Sequence, residues 1–176
     1  MASINKLIKT LSPEIIRQLK SWQQLRFSGV IYTVRDQAHR KLVELIRKKK
    51  KLPFDLAGRI FYYSGPTATP KGRVIGSCGP TTSRRMDAFA PGLLKAGLSG
   101  MIGKGNRSKE VKQAIKKYKG VYFLTYAGCG ALLSQYVLSA KPIAFRELGP
   151  EAIYKLKVKD FPLIVAIDSK GGSVYG

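Results

Sequence analysis

Ser77-Cys78-Gly79-Pro80-Thr81-Thr82-Ser83-Arg84-Arg85-Met86-Asp87 is the stretch whose reading decides this chain. It sets turn formers, three consecutive hydroxyls and two arginines in one short run. Upstream, Arg73-Val74-Ile75-Gly76 has the composition of a short strand. Downstream, Met86, Phe89, Leu93 and Leu94 share one helical face, and Pro91 must kink or restart that helix. Where a strand hands over to a helix, free backbone N–H groups and the helix dipole both favour an anion. Arg85, one turn in, adds a charged fork suited to a carboxylate or phosphate. A helix cap explains one of Thr82 and Ser83, but not a run of hydroxyls beside two arginines.

Working outward, residues 26–33 read as a strand, with Gly29 marking a bulge or close backbone approach. Val34 to Arg40 opens a helix whose inward stripe is Ala38, Leu42, Leu45 and Ile46. Arg35, Asp36 and His39 fall at its first turn, a second strand-to-helix junction. Asp36 suits the positive helix end, and His39 has the plain reading of a satisfied polar residue at a core edge. Arg35 does not suit that end, because the dipole disfavours it, so it calls for an acidic partner or an anionic ligand. Arg59 to Ser64 is an aromatic-rich strand, and Ser99 to Ile102 is another. The latter runs into Gly103-Lys104-Gly105-Asn106, where a lysine between glycines can reach an anion while the backbone comes close. The Walker order is absent, so this is not a nucleotide loop.

Ser108 caps a helix through Tyr118, with Val111, Ala114 and Ile115 inward. Val121 to Tyr126 is a buried strand, and Gly128-Cys129-Gly130 opens an apolar helix over Ala131 to Ser139. Pro142 to Glu147, Tyr154 to Val158 and Leu163 to Asp168 read as separate strands, and Lys170-Gly171-Gly172 as a turn. Residues 1–25 read as an N-terminal helical extension, with Ser12-Pro13-Glu14 as a helix start and Trp22 and Leu25 packing back on the body. Strands alternating with helices over 26–176 give one α/β domain, a layered sheet with covering helices.

Composition sets the outer bounds. An apolar content of 44% in 176 residues supports a real core and argues against disorder. No apolar run approaches the roughly 20 residues that span a bilayer, and the first ten residues lack the apolar core of a signal peptide. Two cysteines without an export signal lead us to expect a cytoplasmic protein with free thiols. The net charge of +22 calls for an acidic counterpart: nucleic acid, anionic lipid or an acidic protein. The densest basic run, Arg47 to Lys51, closes a helix, where positive charge suits the dipole. It has no interleaved aromatics, and no zinc-finger spacing occurs. A basic nucleic-acid-binding protein is the alternative that charge alone supports, and a salt-dependent gel shift tests it.

Read together, the junctions resemble a known family. Ser28 to His39, Tyr62-Tyr63-Ser64-Gly65-Pro66, Gly79 to Asp87 and Ile102-Gly103-Lys104-Gly105 look like the β subunit of class I fumarase and the related tartrate dehydratase β subunit. Glu147-Leu148-Gly149-Pro150-Glu151-Ala152 and Asp160-Phe161-Pro162 extend the match in order. The resemblance covers about 26–176 and implies a swivelling β/β/α domain, in some members the C-terminal part of one long chain. It implies an iron–sulfur hydro-lyase interconverting malate and fumarate, or acting on tartrate or another hydroxy-diacid. It also implies an α subunit that carries the 4Fe–4S cluster, a division that Cys78 and Cys129 fit, being too few for the usual set of cluster thiolates. Homo-oligomers are compatible with the pattern, and a membrane partner is not expected.

Carried over by motif, Arg35 resembles the first carboxylate-binding arginine, with Asp36 and His39 in support of it and counted with the catalytic residues. Thr81 resembles the proposed base, and Thr82, Arg85 and Lys104 further carboxylate contacts. Arg84 receives no role, and Cys78 reads as a plain buried thiol. One departure is Ser21-Trp22-Gln23-Gln24, where the family usually has a Gly-Asp pair before the first strand.

Overall fold

The computed structural model describes residues 6–176. Its longest strands set the frame. β1 (Lys6–Ile8) runs parallel to the first half of β2 (Gln24–Thr33), whose second half pairs in parallel with β3 (Ile60–Tyr62). β4 (Gly100–Gly103) and β5 (Val121–Leu124) continue the parallel set. β6 (Val137–Ala144) and β7 (Ile153–Ile167) complete the sheet, and β7 runs antiparallel to β5, β6 and β2. Because β7 pairs with both β5 and β2, the sheet closes on itself as a ring of five strands, β2, β3, β4, β5 and β7.

Period-two alternation explains why this ring has two separate cores. Ile60 and Tyr62, Ile102, Val121 and Phe123 share one cluster with Leu25, Phe27, Ile31 and Phe161. Their sequence neighbours Phe61, Tyr63, Met101 and Tyr122 share the other, beneath the helices. Those helices are α2 (Asp36–Arg47), α3 (Ala90–Lys95) and α4 (Lys109–Tyr118). α1 (Pro13–Gln18) belongs to the first cluster through Ile16. α4 forms as its sequence dictates: Ser108 Oγ accepts from the Val111 N–H at 3.3 Å, and Val111, Ala114 and Ile115 face inward.

Several expectations need correction. Within the expected N-terminal helical segment, Lys6–Ile8 is a strand, because β2 offers it an open edge. Leu25 is buried as expected, but Trp22 is 68% exposed, with a positive φ of 70° held by its N–H on the Val165 carbonyl. Residues 73–76 form no strand, since both neighbours of β3 are already taken. The loop folds on itself instead: Ser77 N–H donates to Thr67 Oγ1 at 2.9 Å, and Thr67 N–H to the Ser77 carbonyl at 3.0 Å.

The expected helix over 131–139 is only α5 (Gly130–Ser134), and Val137 joins β6 opposite Val158. A short apolar run fits either state, and here the free edge of β7 decides. The two expected C-terminal strands are one, β7, bent at Asp160, whose φ is 54°. Ser28 in the β2 bulge lets the strand continue through that bend: Asp160 N–H donates to Ser28 Oγ at 2.9 Å, and an Arg26 guanidinium N–H donates to the Asp160 carbonyl at 3.2 Å.

Candidate active site

β2, β3 and β4 are parallel neighbours, so the segments that follow them emerge on one edge of the ring. The C-terminal end of a parallel strand set is where α/β folds place ligands. Arg35 and Asp36 follow β2, Gly65 follows β3, and Lys104 follows β4. The central run lies across the gap between the β3 and β4 ends. Thr81 N–H donates to the Tyr63 carbonyl at 2.7 Å, and Ser83 N–H to the Lys104 carbonyl at 3.0 Å. Lys104 N–H returns a bond to Ser83 Oγ at 3.1 Å. Gly103 must lack a side chain, because a Cβ there would occupy the position of Ser83 Oγ.

The run does not open a long helix. Ser83–Met86 is a four-residue 3₁₀ turn without a side-chain cap, and α3 restarts later with Pro91 in its first turn. No long helix points its positive end at an anion from this run, and the positive field comes from side chains. Arg85 Nη2 donates to Thr81 Oγ1 at 2.6 Å and stands 3.3 Å from Asp36 Oδ2. Arg35 Nε stands 3.8 Å from that same Asp36 oxygen. Asp36 thus lies between two guanidinium groups, one from each junction. Lys104 is half-buried beside Thr82, to which it is bridged, and Thr82 is exposed. Arg84 is exposed and makes no ion pair among the described residues.

His39 is fully buried, with its ring against Phe61, Tyr63 and Phe89. Its Nδ1 lies 2.7 Å from the Arg35 carbonyl. A carbonyl only accepts, so Nδ1 carries the proton of the neutral ring, which braces the first turn of α2 from below. Desolvation lowers its pKa to about 4, with the Arg35 carbonyl partly opposing and the Arg107 charge adding to the drop. His39 is therefore neutral and shut away from solvent.

Residues without a sequence-based role complete the surroundings. Arg107 is 2% exposed: its Nε donates to Asp87 Oδ1 at 2.6 Å, and its guanidinium lies over the Tyr63 and Tyr122 rings. Burial works against its charge, but Tyr63, Asp87 and Tyr122 outweigh it and raise its pKa. Asp87 Oδ2 accepts from the Ser108 N–H at 2.6 Å; Tyr122 Oη donates to the Gly105 carbonyl at 2.8 Å and accepts from the Ser83 hydroxyl at 2.9 Å. These contacts fasten the far end of the central run to β4, β5 and α4. Glu151 stands against Arg35. Asp87 and Glu151 fell within quoted motifs, but nothing in the sequence singled out Arg107.

The whole chain carries this pattern in known proteins too. The family model described as Fumarase C-terminus matches residues 3–176. The chain belongs to the Fumarase C-terminus family. A Methanocaldococcus jannaschii protein, provisionally named L(+)-tartrate dehydratase subunit beta, is 40% identical over 98% of this chain and 90% of its own length. The Escherichia coli L(+)-tartrate dehydratase subunit beta is 31% identical over 97% of this chain and 87% of its own. The anaerobic class I fumarate hydratase of Escherichia coli is 41% identical over 92% of this chain but only 30% of its own length. Within the Fumarase C-terminus family the chain thus spans nearly the whole of the tartrate dehydratase β subunits and under a third of the fumarate hydratases.

The cluster that the resemblance implies is held by a set of thiolates. Cys78 is buried and Cys129 exposed, and no group of three His, Cys, Asp or Glu side chains among the described residues could hold a metal. This chain's own residues do not fit a 4Fe–4S cluster. Among the described residues, no helix is long and apolar enough to cross a membrane.

Proposed function

We propose that this chain is the β subunit of a two-subunit hydro-lyase that reversibly hydrates fumarate to L-malate. It binds the substrate carboxylates and moves the carbon-bound proton. One observation carries the reading: Arg35 and Asp36 after β2, Lys104 after β4, and Thr81 and Arg85 from the run lying across the β3 and β4 ends meet on one open edge of the ring.

Arg35, Arg85 and Lys104 supply the cationic contacts that a dicarboxylate needs, each charge-assisted hydrogen bond contributing about 1.5–3 kcal/mol. Asp36 keeps the two arginines from repelling each other apart. In hydration, Thr81 Oγ gives its proton to one alkene carbon while the hydroxyl of water adds to the other. The proton left from that water restores the threonine. The Arg85 N–H on Thr81 Oγ1 stabilises the transient alkoxide, which is how a hydroxyl with a high intrinsic pKa can act in both directions. His39 serves by fixing the Arg35 backbone and does not meet substrate. The iron–sulfur cluster belongs to an α-subunit partner, where it would supply a Lewis acid for the hydroxyl side of the reaction, and the assembly is a cytoplasmic heteromer with a swivelling β/β/α domain.

A second reading, dehydration of tartrate, has specific support: the relatives matched over nearly their full length are named tartrate dehydratase β subunits. The test is hydration of fumarate, and dehydration of malate and tartrate, by this chain alone and after anaerobic mixing with an iron–sulfur α subunit. Activity only in the mixture, lost in Thr81→Ala and Arg85→Ala, supports the proposal. Turnover of tartrate without fumarate moves it to the second reading. An assembled pair with an intact cluster and no activity on any diacid refutes both.

A further inference from the structure

Arg35 has a second acidic neighbour that no sequence reading assigned. Glu151 Oε1 stands 3.8 Å from Arg35 Nε, the same distance as Asp36 Oδ2. Four buried side-chain atoms among the described residues lack a hydrogen-bond partner, and two of them, Arg35 Nε and Glu151 Oε1, are this facing pair. At 3.8 Å they attract but do not bond. Asp36 is shared with Arg85, whereas Glu151 faces Arg35 alone.

The segment presenting Glu151 is bent to do so. Residues 146–151 form an irregular 3₁₀ stretch, entered at Phe145 with φ 53° and broken at Gly149 with φ 57° and ψ −119°. A phenylalanine at positive φ is disfavoured, so contacts elsewhere must hold it there. The held points are both on α2 or its cap: Lys41 Nζ pairs with Glu147 Oε1 at 2.5 Å, and Arg35 with Glu151. Gly65 also lies close along the arginine, since a Cβ there would lie 2.7 Å from Arg35 Cδ and 2.8 Å from Nη1. In a chain with 10 acids against 32 basic residues, two acids stand at the ε edge of one guanidinium.

We infer that Glu151 is a positioning residue for Arg35: it holds the ε edge of the guanidinium so that the η edge is left to a substrate carboxylate. The inference rests on the proposed role of Arg35. It differs in sign from simple charge competition, in which removing a nearby carboxylate would tighten binding of a dianion.

The test uses the reconstituted two-subunit enzyme with Glu151→Gln, which keeps the shape, and Glu151→Asp, which keeps the charge. Misplacing a clamp by about an ångström costs up to about a hundredfold. We expect Glu151→Gln to lower kcat/KM by about tenfold or more, mostly through kcat, with a melting temperature near that of the unmodified chain, and Glu151→Asp to recover part of the loss. An unchanged kcat with equal or lower KM in Glu151→Gln overturns the inference and leaves the proposed function standing. Activity lost in step with melting temperature in both variants overturns it as well, by showing a structural role. An unmodified pair inactive on every diacid removes the proposed function and the inference together.

Discussion

Arg107→Met tests how the central run is held. Arg107 has a side chain with no exposure, and its partner Asp87 is 11% exposed, their ion pair being 2.6 Å long. Removing one member of a buried pair costs about 3–5 kcal/mol, because the other charge stays buried without a counterion. Asp87 keeps its bond from the Ser108 N–H, which places the loss toward the lower end, about 3 kcal/mol. For a chain of this size that is a fall of about 6–12 °C in melting temperature. The assay is urea unfolding of the chain, with Asp87→Asn and the double variant closing a cycle. Adding Asp87→Asn to Arg107→Met should recover at least about 1 kcal/mol, since the stranded charge is gone while Ser108 retains an acceptor. A single Arg107→Met within about 1 kcal/mol of the unmodified chain, or additive effects in the cycle, would refute the reasoning.

Between pH 6.5 and about 4 an unfolded chain protonates its histidine while the buried His39 refuses the proton. Stability is therefore complete above pH 6.5 and falls as pH drops toward 4, by about 3 kcal/mol in all. Urea midpoints at several pH values should show this slope shrinking in His39→Gln, and an identical slope would contradict it. The two thiols should differ in reactivity: burial pushes Cys78 up to about 12, whereas Cys129 is exposed. Titration of the folded chain with a thiol reagent should show a single fast thiol, absent in Cys129→Ser, and two after unfolding. Gly65→Ala would drive its methyl into the Arg35 side chain, a flexible obstacle. Melting should shift little while kcat/KM of the assembled enzyme falls by about tenfold, and full activity would show that Arg35 is not needed where it stands.

The sequence by itself determined the elements whose signals are local. The β2 bulge at Gly29, the start of α2 and the whole of α4 from its Ser108 cap were legible, because caps, glycines and apolar spacing act within a few residues. So were the glycine- and arginine-bearing junctions and, through them, the family. What failed were assignments that depend on which strand edge is free. Val137 became strand because β7 had an open side, residues 73–76 stayed a loop because β3 had none, and β7 ran through Asp160 because Ser28 met its backbone.

The site divides in the same way. Arg35, Asp36, Thr81, Arg85 and Lys104 were visible as residue types in suggestive places. That Asp36 stands between two arginines, that Arg85 donates to Thr81, and that Glu151 and Arg107 belong to the surroundings at all, follow only from the tertiary structure. The β2–β7 pairing brings residue 151 to residue 35, and the central run lying against the end of β4 brings residue 87 to residue 107. Ion pairing and desolvation depend on distance in space, and a linear sequence carries no record of that distance until the strands have chosen their neighbours.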